Sequence, residues 1–168
     1  MSFLVFAYRQ QQIIAQKNLL NFKLLQLNQK LMDLASYSAS IADGSVSGRD
    51  MMDVPPALFD RMCAFTQYAG QMAQVGAREK MSEFMVMNQA NLAQVQPELR
   101  GQYQDMIFSN FFKKEQEKAC EAEKAILNSQ EKRISQEVAM IQMQLKKLDA
   151  EEETVSKGVD EGAKKSAP

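Results

Sequence analysis

Apolar residues recur at alternating spacings of four and three along the first part of the chain. The clearest stretch is a run of leucines at positions Leu20, Leu24, Leu27, Leu31 and Leu34. Heptad spacing places such residues on one side of an α-helix, which must bury them against another helix. The same register holds Phe3, Phe6 and Ile13. The pattern predicts a helix over about residues 3–42, and its apolar side is called the first seam.

A second seam lies far along the sequence. Its clean part consists of Ile134, Val138, Ile141, Leu145 and Leu148. Upstream, Lys124 and Glu131 occupy the same register, so that half of the seam is more polar. The pattern predicts a helix over about residues 98–155. The apolar spacing ends after Val155, and a composition rich in Gly, Lys, Ala and Ser predicts a disordered tail over residues 156–168.

The first helix is more apolar than one seam requires. The additional residues are Leu19, Phe22, Leu25 and Met32. A wider apolar face indicates more than one neighbouring helix. The apolar start of the helix, from Phe3 to Tyr8, is expected to pack within the chain or on a second copy. Alternatively, it inserts into a partner or a membrane surface.

The middle of the chain, residues 56–95, also has helical spacing, between breaks at 43–56 and 96–97. In the first break, Gly44 suits the left-handed conformation that often follows a helix. Small residues around positions 69–77 allow either a close helix approach or a kink. The many methionines of this segment indicate either core packing or an adaptable partner surface. The candidate partner surface consists of Met62, Phe65, Met72, Phe84 and Met85.

These segments predict an all-α fold in which long helices form an elongated antiparallel bundle or coiled coil. Residues 1–155 would form a single helical domain with helices at about 3–42, 56–95 and 98–155. Short connections make successive helices antiparallel, so the first and third segments are expected to run parallel. In the alternative arrangement, the middle segment forms a small head while the other two form an antiparallel stalk.

Composition and charge argue against most ligand-binding and enzymatic classes. The chain has 20 basic and 21 acidic residues, and this balance predicts no binding to nucleic acid. Histidine, the commonest general base and metal ligand, is absent. Cys63 and Cys120 lack metal-binding spacing and are expected to be buried free thiols or, alternatively, a disulfide. We therefore predict no catalytic, metal or cofactor site, no small-molecule substrate and no enzymatic activity.

No stretch approaches the ~20 apolar residues of a membrane span, and no cleaved signal peptide is expected. The chain is therefore expected in the cytoplasm, or exported or packaged without a cleaved Sec signal. The seams favour a helical structural protein that associates with itself, as subunits of filaments, secretion apparatus or virions do. The alternative is a coiled-coil adaptor or chaperone that binds another helical protein through the methionine-rich surface.

Overall fold

The computed structural model of the chain describes residues 3–45 and 48–166, and this part contains helices and no strand. The helices are α1 (Phe3–Ser40), α2 (Phe59–Met87), α3 (Gln89–Ala93) and α4 (Pro97–Ser166). Two short 3-10 turns, Asp50–Asp53 and Pro56–Leu58, lie between α1 and α2. The predicted all-α class is confirmed, and the long helices α1 and α4 pack against each other.

The helix ends follow from local chemistry. Gly44 follows α1 with a φ of 75°, as the sequence predicts, and its N–H donates to the carbonyl of Ile41. The small residues near positions 69–77 do not break the helix, because α2 is continuous from Phe59 to Met87. The helical run breaks instead at Asn88, whose side-chain amide donates to the carbonyl of Phe84 at 3.0 Å.

The chain forms two compact units, where the sequence predicts a single domain. Unit 1 combines Met1–Met32 with Glu131–Pro168, and its described parts are residues 3–32 and 131–166. Unit 2 is the continuous stretch Asp33–Gln130. Both α1 and α4 contribute residues to each unit.

Within unit 1, α1 and α4 run antiparallel. Lys23 pairs with Glu137, whereas Arg9 pairs with Glu151, so positions earlier in α1 meet positions later in α4. The expectation that these two segments run parallel is wrong, and their antiparallel pairing follows the alternative arrangement. The connection after α1 explains the difference. Its 18 residues, between Ser40 and Phe59, are too many to act as a short turn, so they do not oblige α1 and α2 to run antiparallel.

The end of α4 also differs from the sequence prediction. Residues 156–166 continue the helix instead of forming a disordered tail, and residues 167–168 lie outside the described part of the chain. The aromatic ring of Phe6 lies directly over Gly158, where an added Cβ would meet ring atoms at 2.9–3.0 Å. At Gly162 an added Cβ would lie 3.4 Å from Cβ of Phe3, an ordinary packing distance. These contacts order a sequence whose own helix propensity is low.

Unit 2 contains an antiparallel pairing of α2 with α4. The rings of Phe84 and Phe111 meet edge to face at 6.2 Å, and farther from the turn Arg61 donates to Gln130. Small residues make the close approach possible, since an alanine stripe at four-residue spacing is fully buried: Ala69, Ala73 and Ala77. The small-residue stretch therefore serves close packing, which is one of its two predicted roles.

Candidate functional site

The seam residues lie mainly between helices of the same chain. Ile13, Leu27, Leu34 and Ile141 are buried. The half-buried members are Phe6, Leu20, Leu24, Leu31, Ile134, Val138, Leu145 and Leu148. Phe3, at the start of α1, is 40% exposed. The four buried members are therefore covered within the chain, without a second copy.

Ion pairs flank the seam of unit 1. The Lys17 ammonium lies 2.6 Å from carboxylate oxygens of both Asp149 and Glu152. Its hydrogen bond to Asp149 is the main cause of a raised pKa of Lys17. Arg9 and Lys23 make comparable contacts with acidic residues of α4. All three basic residues that α1 has between positions 3 and 29 are therefore paired with α4.

The opposite side of α1 carries large apolar side chains that nothing in unit 1 covers. We define this α1 outer face by residues that are each at least 59% exposed: Leu4, Tyr8, Leu19, Phe22, Leu25 and Met32. Four of them (Leu19, Phe22, Leu25 and Met32) form the widened apolar face for which the sequence predicts a further neighbouring helix. The structure provides no such helix within unit 1.

The candidate methionine-rich surface is dispersed. Met62 is fully buried, and Phe65 is 8% exposed. Phe84 is half-buried against Phe111. Met72 and Met85 line two different depressions of unit 2. These residues do not form one surface, because a helix turns its side chains through about 100° per residue and only some of them point away from α4.

A groove between α2 and α4 retains part of that surface. Its volume is about 530 Å³, and its apolar lining includes Phe65, Tyr68, Met72, Val75 and Ile126. Glu115 borders the groove and accepts hydrogen bonds from the ammonium groups of Lys80 and Lys118. The hydrogen bond from Lys80 is the main reason that the pKa of Glu115 is lowered.

A polar junction in unit 2 was not anticipated from the sequence. Glu123 accepts hydrogen bonds from the Tyr37 hydroxyl at 3.1 Å and from Arg61 Nε at 2.8 Å. The Arg61 guanidinium also lies 5.6 Å from the centroid of the Tyr37 ring. Burial is the main cause of a raised pKa of Tyr37, so its hydroxyl stays protonated and donates to the carboxylate. Glu123 and Arg61 therefore form an ion pair with further partners inside unit 2, which is typical of a structural role.

One of the two positions that interrupt the second seam with a charge, Lys124, has a partner in unit 2. Lys124 Nζ donates to the carbonyl of Ala42 at 2.6 Å, beyond the C-terminal end of α1. Lysine is favourable at that place because unpaired carbonyls carry the negative end of the helix dipole. Both Cys63 and Cys120 are free, and burial raises the pKa of the fully buried Cys120 thiol.

Among residues 3–45 and 48–166, no group of three or more Cys, Asp and Glu side chains is arranged to hold a metal ion. Within the same described ranges, none of the helices combines the length and apolarity needed to cross a membrane. Scans against protein-family models, curated proteins and solved structures each found no match to the chain.

Proposed function

We propose that this chain is a non-enzymatic helical structural protein that associates with copies of itself. The observation that carries the proposal is the α1 outer face, which exposes six large apolar side chains on one side of one helix. Scattered exposed apolar residues are ordinary on protein surfaces, but a contiguous apolar stripe is typical of an interaction site. The seams hold α1 and α4 together within the chain, so the exposed stripe is available for assembly.

The proposal extends to subunits of filaments, secretion apparatus or virions, located in the cytoplasm or exported or packaged without a cleaved Sec signal. Such subunits act through packing surfaces and need no convergent set of titratable groups. In the described ranges, the groups with shifted pKa values that form ion pairs have local partners, as Lys17 and Glu115 do. Such pairing supports a structural use of these charges.

Sedimentation velocity over a wide concentration range tests self-association. A structural subunit is expected to sediment above the 19.0 kDa of one chain, with a mass that increases with concentration. Circular dichroism of the same samples controls for folding, since helicity should be high at every concentration. A fully helical protein that remains a single chain at the highest concentration would contradict the proposal.

A second candidate function is a coiled-coil adaptor, favoured by the groove between α2 and α4. An apolar floor with charged residues at its edges is the usual form of a site for an amphipathic helix. In this case Met72→Glu should abolish binding of a helical client. Met87→Glu is the matched control, because Met87 is 83% exposed at the end of the same helix and does not line the groove. Equal binding by both variants would exclude the groove.

A further inference from the structure

We propose that the α1 outer face of one copy packs against the α1 outer face of a second copy, across a two-fold axis. The inference rests on the proposed self-association and identifies the surface that would carry it. It differs from the expectation drawn from the sequence, in which the heptad seams themselves hold the copies together. Part of those seams is buried within the chain, and we place the interface on the more exposed apolar side of α1.

Helix geometry places the proposed interface opposite the seam. Each residue turns an α-helix by about 100°, so Phe22 points about 200° away from Leu20. Leu20 is half-buried and lines the same depression as Leu148 of α4. Phe22 is 59% exposed on the other side of α1. A helix with two apolar sides requires two neighbours, and unit 1 supplies one of them.

The low charge of this face favours a second copy over other occupants. Between Leu4 and Gln29, α1 has three charged residues, and all of them pair with acidic residues of α4. Lys30 follows, exposed near the C-terminal end of the face, where it lines the same depression as Phe22 and Leu25. A single lysine offers little electrostatic attraction to nucleic acid, and helices that bind membrane surfaces carry many basic residues. Across a two-fold axis near Phe22, the Lys30 side chains of two copies lie far apart, so like-charge repulsion between them is weak.

The polar residues between the apolar side chains suit a symmetric interface. Gln11, Asn18 and Gln26 share the side of α1 that faces away from α4, and all three are exposed. A side-chain amide has both donors and an acceptor, so an amide can hydrogen-bond to the same group of a second copy. A two-fold interface requires this kind of self-complementarity, because one surface patch forms both halves.

The exposed apolar area supplies most of an interface. Burying one large apolar side chain removes at most roughly 100 Å² from water, so six such side chains supply up to about 600 Å² per copy. A stable interface buries about 800 Å² per partner, so the flanking amides have to contribute the remaining quarter.

The test introduces charge at Phe22, near the middle of the face. Phe22→Glu should raise the dissociation constant of the self-associated protein by roughly a hundredfold, because two like charges would be brought together. Met143→Glu is the matched control on α4 of the same unit, since Met143 is 58% exposed and lies outside the face. Sedimentation velocity measures association, and the helical content by circular dichroism should be unchanged in both variants.

A charge-reversal experiment identifies the contacting surface directly. Phe22→Glu and Phe22→Lys chains should each remain apart and should associate when mixed at low salt, because opposite charges then meet across the interface. Failure of the mixture to associate would overturn the inference, as would equal dissociation by Met143→Glu. Unimpaired association of Phe22→Glu would overturn it too, while leaving the proposed self-association standing.

The remaining outcomes separate the two proposals. A wild-type chain that never self-associates would contradict the proposed function itself, and the named interface with it. A wild-type single chain that binds vesicles of uncharged lipid and loses that binding with Phe22→Glu would assign the face to a membrane surface instead. Association of wild type and Met143→Glu, loss with Phe22→Glu and recovery in the charged mixture would together support the interface.

Discussion

Two glycines in the interior of α2 provide a direct measurement of how closely α2 approaches α4. An added Cβ at Gly70 would meet nothing within 4 Å. At Gly76 it would lie 2.9 Å from Cγ of Glu115 and 3.1 Å from its Cδ. Since real Cβ atoms keep a greater distance, the Glu115 side chain would have to move. Alanine at the two positions should therefore differ in its effect on stability, with Gly70→Ala giving the more stable protein.

The magnitudes follow from two opposing contributions. Replacing glycine by alanine within a helix stabilises it by about 1 kcal/mol, so Gly70→Ala should raise the free energy of unfolding by about that amount. Gly76→Ala has the same gain, but forcing atoms into a filled site costs about 1–3 kcal/mol. It should therefore leave stability unchanged or lower it by up to about 2 kcal/mol.

Urea unfolding followed by far-ultraviolet circular dichroism measures both variants at one protein concentration. Glu115→Ala provides the control, because it removes the atoms that the new Cβ would meet. In that background, Gly76→Ala should stabilise the protein as Gly70→Ala does, which gives a coupling energy of about 1–3 kcal/mol. Equal stabilisation by Gly70→Ala and Gly76→Ala in the wild-type background would refute the close approach of α2 and α4 at this position.

Three further predictions concern the core, the thiols and acid stability. Leu27→Asp buries a charge in the seam and should destabilise by several kcal/mol (about 3–5), whereas Leu25→Asp on the exposed side should change stability by less than ~0.5 kcal/mol at concentrations where the chains are dissociated; equal thermal midpoints under those conditions would contradict this. A thiol reagent should modify Cys63 before Cys120, because Cys120 is fully buried and its pKa is raised; equal rates would argue against that burial. Glu115 has a folded pKa below its ordinary 4.5, so its contribution is present above pH 4.5 and disappears as the pH falls through the lower folded value. In Glu115→Gln, the free energy of unfolding in urea should therefore decrease less between neutral and acid pH than in the wild type. An unchanged pH profile would contradict the role of its lysine partners.

The helices and their buried sides could be predicted from the sequence because their cause is local. Heptad spacing alone specifies that Ile13, Leu27 and Ile141 share the buried sides of their helices. The burial of Met62 was less certain, since methionine suits both cores and partner surfaces. Periodicity therefore predicted which residues share a side of a helix more reliably than it predicted what covers that side.

The direction of the helices and the partners of polar residues depend on contacts between distant positions. The seam pattern fits a parallel pair as well as an antiparallel one, so it did not specify how α1 meets α4. Lys124 interrupts the apolar pattern of the second seam, and the spacing alone does not reveal that its ammonium donates to the carbonyl of Ala42. Likewise, Gly158 argued for disorder when taken alone, and its contact with Phe6 explains why the helix continues.

The order of the two units along the chain has a consequence for folding during synthesis. Unit 2 is one continuous stretch, so its residues are all available once Gln130 has been translated. Unit 1 joins residues on both sides of that stretch, and Arg9 bonds to Glu151 across a separation of 142 residues. Contacts between residues so far apart in the sequence form late, so we expect unit 2 to fold first. Until α4 is complete, the first 32 residues expose their seam and would be the part of a nascent chain in need of protection from aggregation.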